Sequence, residues 1–467
     1  MNANRKKLVV GFVLSLFGAH LVAQKPVQVW MTTADGKALL HRETSIRWEK
    51  QKSDADVITI DDAKSYQTID GFGHALTGGS AQLLMKMSTP ARAQLLRELF
   101  GAGRSDIGTS YIRVTVGASD MNDHVYTYDD MPKGETDLAL QHFTLAEDEK
   151  DVIPVLRQIL TINPQIKILA SPWTAPAWMK TNEAVKGGSL KKEFYPSYAN
   201  YWVLYLKEMK AHGISIDALT PQNEPENPKN TPSMVMNADE QADFIGNFLG
   251  PALRKAGLQT KIIAFDHNCD HPQYPERVLG DKLAGPMTDG SGFHLYLGEI
   301  KALDVVHTAY PEKNIYFTEQ MVVARKGAEP MPISKPFERI VIGALSNWSR
   351  NVLLWNLAAD PQKGPHTNDG GCPMCSGSIT LDGDKVTRLV AYYTAAHASK
   401  FIPRGSVHIA STCSAQCLPQ AAFRTPKGKH VLLLSNSGAR VSPVAVRYGN
   451  KLLRSSLPAG AVATYVW

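Results

Sequence analysis

Residues 216–225 read IDALTPQNEP, a short apolar run that leads directly into an amide and a carboxylate side chain. The run at 216–219 is typical of a buried parallel strand. Seven similar runs occur elsewhere, at 68–69, 111–114, 166–169, 262–265, 292–295, 315–317 and 352–355. Stretches with helical spacing lie between them, beginning near Thr89 and spanning 198–210, 238–256 and 333–348. Eight strands alternating with helices predict an α/β fold, a (β/α)8 TIM barrel.

The alternative is a doubly wound open sheet. No glycine-rich nucleotide fingerprint follows the first strand, which makes that fold less favourable. After residue 402 the pattern changes to short strands, at 407–410, 431–434, 444–446 and 461–466, broken by Gly, Pro and Ser, which predicts a small antiparallel β-domain. We therefore expect N-terminal strands at 24–64, a catalytic barrel at 65–402 and a C-terminal part at 403–467, with both ends building one β-sandwich.

The first 23 residues have the pattern of a signal peptide. A basic segment at 5–7 precedes an apolar run at 8–19, and Ala23 offers a small residue for cleavage. A membrane anchor is the alternative, but the run is short for a bilayer span. We expect an exported protein, periplasmic, cell-surface or secreted, with no stable membrane span after cleavage.

Composition narrows the function further. The chain has 467 residues, 43% of them hydrophobic, and a formal net charge of +6 without a dense basic stripe, so a nucleic-acid partner is not expected. Five cysteines are present. In an exported protein the close pairs Cys372/Cys375 and Cys413/Cys417 favour disulfides, with Cys269 left over. A four-cysteine zinc site is the alternative, although the gap between the pairs is long for one.

Two carboxylates stand where the chemistry of a barrel is expected. Glu224 follows the fourth strand and Glu319 follows the seventh, and catalytic groups of barrels lie at the carboxyl ends of the strands. A buried charge is costly without a partner or a task. Cleavage of a glycosidic bond needs such a pair of carboxyl groups, so we predict a glycosidase with both as catalytic residues. The alternative is that each is an ordinary surface-loop glutamate.

Other side chains at the strand ends suit a sugar. Asn223 could hold a 2-hydroxyl, Trp173 and Trp355 could pack on sugar faces, and Arg113 and Tyr296 could keep a carboxylate ionised. His294 in strand six is a further candidate for substrate contact. Trp178 could equally belong to the core. The run at 266–271, DHNCDH, has the residue types of a metal site but no familiar spacing; a loop lining the cleft after strand five is the favoured interpretation, with neither metal nor cofactor expected.

The chain resembles glycoside hydrolase family 30, which includes glucosylceramidases and endo-β-1,6-glucanases. The resemblance covers nearly the whole mature chain. Its motifs are DGFG at 70–73, SPWTAPAWMKTN at 171–182, NEP at 223–225, TE at 318–319, WNL at 355–357 and SKFIP at 399–403. The resemblance implies a retaining mechanism, with Glu224 as acid/base and Glu319 as nucleophile. It also implies sugar contacts from Asn223, Trp173 and Trp355, and a hydrogen bond from Tyr296 to the nucleophile.

Three positions depart from the glucosylceramidase pattern. Gly78 stands in place of an Asp, Leu295 in place of a Trp and His366 in place of an Asn, all expected to touch the sugar pocket. The pattern is closer to the endo-β-1,6-glucanase branch, so a β-1,6-glucan is the expected substrate. A glucosylceramidase or broad β-glucosidase is the alternative, and a sugar-binding barrel without activity is the third hypothesis.

Overall fold

The computed structural model of the protein describes residues 26–50, 56–324, 329–413 and 416–467. The predicted signal peptide, residues 1–23, lies outside these ranges. None of the helices in the described ranges has the length and apolar character required to cross a bilayer.

Eight parallel strands close a barrel in chain order, and the eighth pairs with the first. The predicted fold class is confirmed. The strands are Gly71–Leu76, Tyr111–Val116, Lys167–Pro172, Ala218–Leu219, Lys261–Cys269, Thr288–Gly298, Asn314–Glu319 and Ser349–Asn356. The first begins later than predicted, because Thr68 still belongs to a strand of the other sheet. A side chain at Gly73 would clash with the carbonyl oxygen of Tyr111, which explains the glycine of the DGFG motif.

Helices surround the barrel. They are Gly78–Lys86, Thr89–Phe100, Val152–Ile162, Tyr195–Ala211, Ala238–Asp243, Gly250–Lys255, Gln273–Leu279, Ala302–Ala309, Ser334–Pro336, Gly343–Ser346 and Val390–Ser399, with π-helical segments at Phe244–Leu249 and Phe337–Ile342. Local sequence sets their starts. Ser88 accepts a hydrogen bond from the amide of Ala91 and Pro90 lies in the first turn, while Asn237 and Glu240 form a capping box.

Apolar side chains fill the interior of the barrel, so it is a packed core and not a pore. One layer consists of residues from strands two, three, four, five, seven and eight, namely Tyr111, Leu169, Ala218, Ile263, Tyr316 and Leu353. Each is almost fully buried. The site can therefore form only above this layer, at an end of the barrel.

Both chain ends build the second sheet. Its ten strands run in the order His41–Arg42, Gln28–Thr32, Val462–Val466, His430–Ser435, Gln420–Arg424, Val407–Cys413, Ile58–Thr68, Ser442–Tyr448, Lys451–Leu457 and Glu49–Lys50. Side chains from distant strands, including Val29, Leu432 and Leu453, share one core. Such packing is that of a β-sandwich. The strands at 420–424 and 451–457 were missed because polar residues interrupt their apolar pattern.

Polar contacts join the two domains. His397 on the helix Val390–Ser399 hydrogen-bonds Thr32 (2.8 Å) and Thr464 (2.9 Å), one from each end of the chain. Ser435 donates to the carbonyl of Ser334 at 2.9 Å, and Ser437 donates to Glu338 at 2.6 Å. The sandwich is thus held in a defined position against the barrel.

The cysteines pair as expected. Disulfides link Cys372 to Cys375, in the segment after strand eight, and Cys413 to Cys417, in the sandwich, while Cys269 is free and buried. The zinc alternative is therefore wrong, because all four candidate ligands are oxidised. Paired cysteines are typical of proteins that fold in an oxidising compartment.

Candidate active site

Glu224 and Glu319 lie at the carboxyl end of the barrel. Glu319 is the last residue of strand seven, and Glu224 lies five residues beyond strand four. The backbone of Glu224 has a φ of 44°, and its amide donates to the carbonyl of Asp266 at 3.0 Å. A non-glycine residue in this region is strained, and such strain concentrates at functional sites. The kink turns a buried side chain toward strand seven.

The two carboxylates come close together. One oxygen of Glu224, one oxygen of Glu319 and a ring nitrogen of His294 all lie within 4.8 Å of one another. Retaining glycosidases hold their carboxyl groups about 5–5.5 Å apart, whereas inverting enzymes need about 6.5–9.5 Å for a water molecule. The spacing is therefore that of a retaining site.

Arg113 organises the negative charge. From strand two its guanidinium contacts Glu319 at 2.5 Å, Asp266 at 2.7 Å and the side-chain oxygen of Asn223 at 2.7 Å. All of these groups are buried. Because a guanidinium is rigid and donates to several acceptors at once, it can hold a bound carboxylate in one orientation. Arg113 thus contacts both a candidate catalytic residue and a structural carboxylate.

His294 bridges two carboxylates. Its Nδ1 lies 3.2 Å from Glu224 and its Nε2 lies 3.0 Å from Asp266. Burial by itself lowers the pKa of His294, but the surrounding carboxylates of Glu319, Asp266 and Glu224 outweigh it and raise the pKa to about 9. Both ring nitrogens therefore carry protons and donate to the two acceptors.

The carboxylates respond to these neighbours in opposite directions. Burial raises the pKa of Glu224, but the hydrogen bond and charge of His294 outweigh burial and lower the pKa to about 2. Burial also raises the pKa of Glu319, and here it exceeds the opposing effects of His294 and Arg113. The hydrogen-bonding proton between His294 and Glu224 therefore belongs to the imidazole of His294, and Glu224 is ionised.

A cavity of about 190 Å³ opens over the carboxylates. Its aromatic wall is formed by Trp173 and Trp355, whose ring centroids are 5.2 Å apart. Tyr296 also lines it and donates its hydroxyl to Glu319 at 2.8 Å. The remaining lining residues are Asp120, Asn223, Asn230, Met321, Cys372 and Cys375. The volume is below the ~300 Å³ at which sites for drug-sized ligands begin, so the cavity suits a single sugar unit.

Asp120 is a cavity residue that the sequence analysis missed. It is almost completely buried, and its Oδ1 has no hydrogen-bond partner among the described residues. Burial, then the charges of Glu319 and Glu224, raise its pKa to about 8. Its position four residues beyond strand two could have identified it. Gly78 is not among the residues that line the cavity, and a side chain there would clash with Asn122.

Other predicted residues lie elsewhere. His366 is half-buried, contacts the carbonyl of Thr367 and does not line the cavity. Leu295 lines a neighbouring chamber, described below. Trp178 belongs to the core and donates to the carbonyl of Asp129.

The interpretation of 266–271 as a cleft loop was wrong in part, because strand five continues to Cys269. Asp266 instead binds Arg113 and His294, and Asn268 accepts from the amides of Tyr296 and Leu297. Within the described ranges, the one cluster with metal-ligand geometry consists of Glu224, His294 and Glu319, and it contains no member of that run.

Comparison with known proteins agrees with this geometry. Residues 69–402 match the glycosyl hydrolase family 30 TIM-barrel domain, and residues 405–465 match the family 30 beta sandwich domain. The endo-1,6-β-D-glucanase BGN16.3 of Trichoderma harzianum is 35% identical over 404 residues, covering 81% of this chain and 80% of that protein. The lysosomal acid glucosylceramidase of Mus musculus is 30% identical, covering 88% and 83%.

A solved structure, that of the endo-β1,6-glucanase BT3312, superposes with a TM-score of 0.87 at 33% identity. The match covers 95% of this chain and 99% of that one. Both domains are thus shared with a solved relative, and the family models together span most of the chain. The paired carboxylates, the barrel and the sandwich built from both chain ends lead to one conclusion: this chain belongs to glycosyl hydrolase family 30.

Proposed function

We propose that this protein is an exported endo-β-1,6-glucanase that works by double displacement. The observation that carries the chemistry is that carboxylate oxygens of Glu224 and Glu319 lie within 4.8 Å of each other beside a small cavity. The linkage is supported by the fungal endo-1,6-glucanase at 35% identity and the solved endo-glucanase at 33%. The two disulfides support export.

In the first step, Glu319 attacks the anomeric carbon and forms a glycosyl ester while the bond to the leaving oxygen breaks. Arg113 and Tyr296 hold the attacking carboxylate in place at 2.5 Å and 2.8 Å. Glu224 gives a proton to the leaving oxygen. In the second step, Glu224 removes a proton from water, which attacks the ester and releases the sugar with its original configuration.

The acid role needs a proton on Glu224, whereas the free site keeps that proton on His294. We propose that the proton crosses the 3.2 Å contact from His294 to Glu224 and passes from there to the leaving oxygen, so that His294 becomes neutral and Glu224 is ionised again. The ester that forms on Glu319 is neutral, so one of the carboxylates that raise the pKa of His294 is lost and the imidazole releases its proton more readily. In the second step Glu224 takes a proton from water and returns one to His294. Asp266, 3.0 Å from the other ring nitrogen, holds the imidazole in line.

Cavity residues would position the sugar. Asp120, neutral below about pH 8, can donate to a sugar hydroxyl and accept from another. Trp173 and Trp355 offer aromatic faces to the C–H surface of the ring. The side-chain oxygen of Asn223 accepts from Arg113, which leaves its amide protons for the 2-hydroxyl, a contact that strengthens in the transition state.

Glucosylceramide is the second candidate substrate. The mouse glucosylceramidase is 30% identical to this chain. Leu297, which follows the cavity residue Tyr296, is 58% exposed, and Met374, between the cavity residues Cys372 and Cys375, is 62% exposed. Exposed apolar side chains at a cavity mouth would suit a lipid aglycone.

Product analysis separates the two. The enzyme is incubated with β-1,6-glucan, glucosylceramide and an aryl β-glucoside, and a Glu319→Gln variant serves as the control. We expect short β-1,6-linked oligosaccharides from the polymer and none with the variant. Cleavage of the lipid or the aryl glucoside alone would reject the glucanase proposal.

A further inference from the structure

A second chamber of about 1030 Å³ lies between the barrel and the sandwich. Leu295, Gln320, Met321 and Arg339 line it on the barrel side, and residues 437–439 and 459–460 line it on the sandwich side. Tyr296 and Met321 line both this chamber and the catalytic cavity, so the two spaces meet at these side chains. The larger space therefore adjoins the catalytic cavity.

We infer that this chamber binds further glucose units of the β-glucan chain being cleaved, and that the β-sandwich supplies one of its walls. The inference rests on the proposed glucanase function and extends it. It assigns the sandwich a part in substrate binding, in addition to its packing against the barrel.

The volume of the two spaces supports this assignment. The catalytic cavity, at about 190 Å³, suits one sugar unit, whereas an endo-acting enzyme must hold several. The chamber exceeds the upper end of the ~300–1,000 Å³ range of ligand pockets. The two adjoining spaces together offer room for a short chain, which the catalytic cavity alone does not.

The lining suits a sugar better than an alkyl chain. Glu329, Lys335 and Arg339 lie beside apolar groups such as Val322 and Ile340. Sugars present hydroxyls and C–H faces together, so such a mixed wall can satisfy both. An alkyl chain would cover charged groups without replacing their hydrogen bonds to water, which is costly.

Gln320 gives a second, independent indication. It follows the candidate nucleophile in sequence, lines the chamber and is 6% exposed. Its amide donates to the carbonyl of Met321 at 3.2 Å, but its Oε1 has no hydrogen-bond partner among the described residues. A buried acceptor without a partner is costly to leave unsatisfied. A small reorientation of the amide toward a sugar hydroxyl would satisfy it.

The sandwich wall is held in place for this role. Ser437, at the start of one wall segment, donates to Glu338 of the barrel domain at 2.6 Å, and Ser435 nearby donates to the carbonyl of Ser334. The wall is therefore preorganised, which lowers the entropic cost of binding.

Narrowing the chamber tests the inference. An Ala439→Trp variant places a large side chain on the sandwich wall of the chamber. A Val441→Trp variant serves as the matched control, because Val441 is 63% exposed and does not line the chamber. Values of kcat/KM are measured on β-1,6-linked oligosaccharides of two to six units and on an aryl β-glucoside. We expect Ala439→Trp to lose about tenfold on the longer oligosaccharides and nothing on the aryl glucoside, with the control unchanged on all substrates.

The outcomes separate the two proposals. If the wild type cleaves β-1,6-glucan but Ala439→Trp behaves like the control, the chamber inference is overturned and the glucanase proposal stands. An equal loss on the short and long substrates overturns it too, because the variant would then act on folding or catalysis. If the wild type cleaves no β-1,6-glucan, the glucanase proposal fails and the chamber inference fails with it. An Ala459→Met variant, on the other wall segment, should repeat the length-dependent loss.

Discussion

Strands two and seven each run from one end of the barrel to the other, and each end holds a cluster of charged side chains. Tyr111 and Tyr316 lie at the amino end, whereas Arg113 and Glu319, two and three residues further along, lie at the carboxyl end. The amino end holds the larger cavity, about 530 Å³ against 190 Å³. Cavity size therefore does not distinguish the reaction site from the rest of the barrel.

Charge balance distinguishes them. At the amino end each carboxylate has its own cation: Asp70 pairs with Arg350 at 3.0 Å, Asp289 with Lys261 at 3.0 Å, and Asp217 with Lys167. These side chains are 19–45% exposed. Such pairs neutralise one another beside water, contribute little to stability and leave no group primed for proton transfer.

The carboxyl end has more acid than base. Glu224, Asp266 and Glu319 share the charges of Arg113 and His294, and all five side chains are at most 10% exposed. Asp120 adds a fourth carboxyl group, whose pKa burial raises to about 8. Unequal sharing in a buried site separates the pKa values of neighbouring groups, with the lowered pKa on Glu224 and the raised pKa on Glu319, so the acid role of Glu224 depends on the proton that His294 holds.

The largest expected effect comes from removing the acid/base. A Glu224→Ala variant should lose about 10²–10⁴-fold in kcat/KM on β-1,6-glucan, because the leaving oxygen no longer receives a proton. The matched variant at the amino end, Asp217→Ala, should change it by less than about twofold. Both are measured by reducing-sugar release.

Rescue by azide is a second test of the acid/base role of Glu224. An aryl β-glucoside with a good leaving group needs no acid, so the glycosyl ester still forms, and azide can replace the activated water. We expect azide to restore turnover of Glu224→Ala and to give a glucosyl azide of retained configuration. Absence of rescue, with equal loss on all substrates, would remove Glu224 from the acid/base role.

Stability should show the next largest contrast. Arg113→Met leaves the buried carboxylates of Asp266 and Glu319 without the guanidinium that both contact and should lower the free energy of unfolding by about 3–5 kcal/mol. Arg350→Met breaks a partly exposed pair and should cost about 1 kcal/mol. Urea denaturation followed by fluorescence measures both. Equal losses would contradict the view that the two ends differ in burial of charge.

The pH profile should show a smaller effect. The active site needs Asp120 neutral and His294 protonated; both lose protons as the pH rises, at about 8 and about 9, so kcat/KM should fall over that interval. An Asp120→Asn variant cannot ionise, so its alkaline limb should begin closer to pH 9. Asp289→Asn, at the amino end, should leave the limb in place. An unmoved limb in Asp120→Asn would show that Asp120 does not set it.

The smallest effect is expected at the disulfides. Cys372 and Cys375 line the catalytic cavity, so replacing both with Ser should raise KM about threefold at nearly constant kcat, because the wall becomes less preorganised. The matched double variant at Cys413 and Cys417, in the sandwich, should leave KM unchanged. A shared increase would indicate a general loss of stability instead.

Much of the fold could be read from spacing along the chain. The eight regularly spaced apolar runs predicted the barrel, and the change to short strands broken by Gly, Pro and Ser after residue 402 predicted the sandwich. Strand one was misplaced because GFGHAL at 71–76 contains two glycines and a histidine, which weaken its apolar signal. Two sandwich strands were missed for a similar reason. The apolar pattern along the chain indicates burial, so it does not identify a buried strand that contains glycines or a strand that is half exposed.

The order of the strands and the two glutamates at strand ends were determined by the sequence alone. Carboxyl ends of parallel strands meet at one rim, so residues at those ends converge whatever the loops do. The tertiary structure decided which partners each carboxylate meets. Asp120 enters the cavity, His294 lies between Glu224 and Asp266, and the sandwich reaches the second chamber, all through contacts between residues far apart in the chain. These contacts depend on backbone kinks, such as the positive φ of Glu224 and of Asp266, that no local pattern specifies.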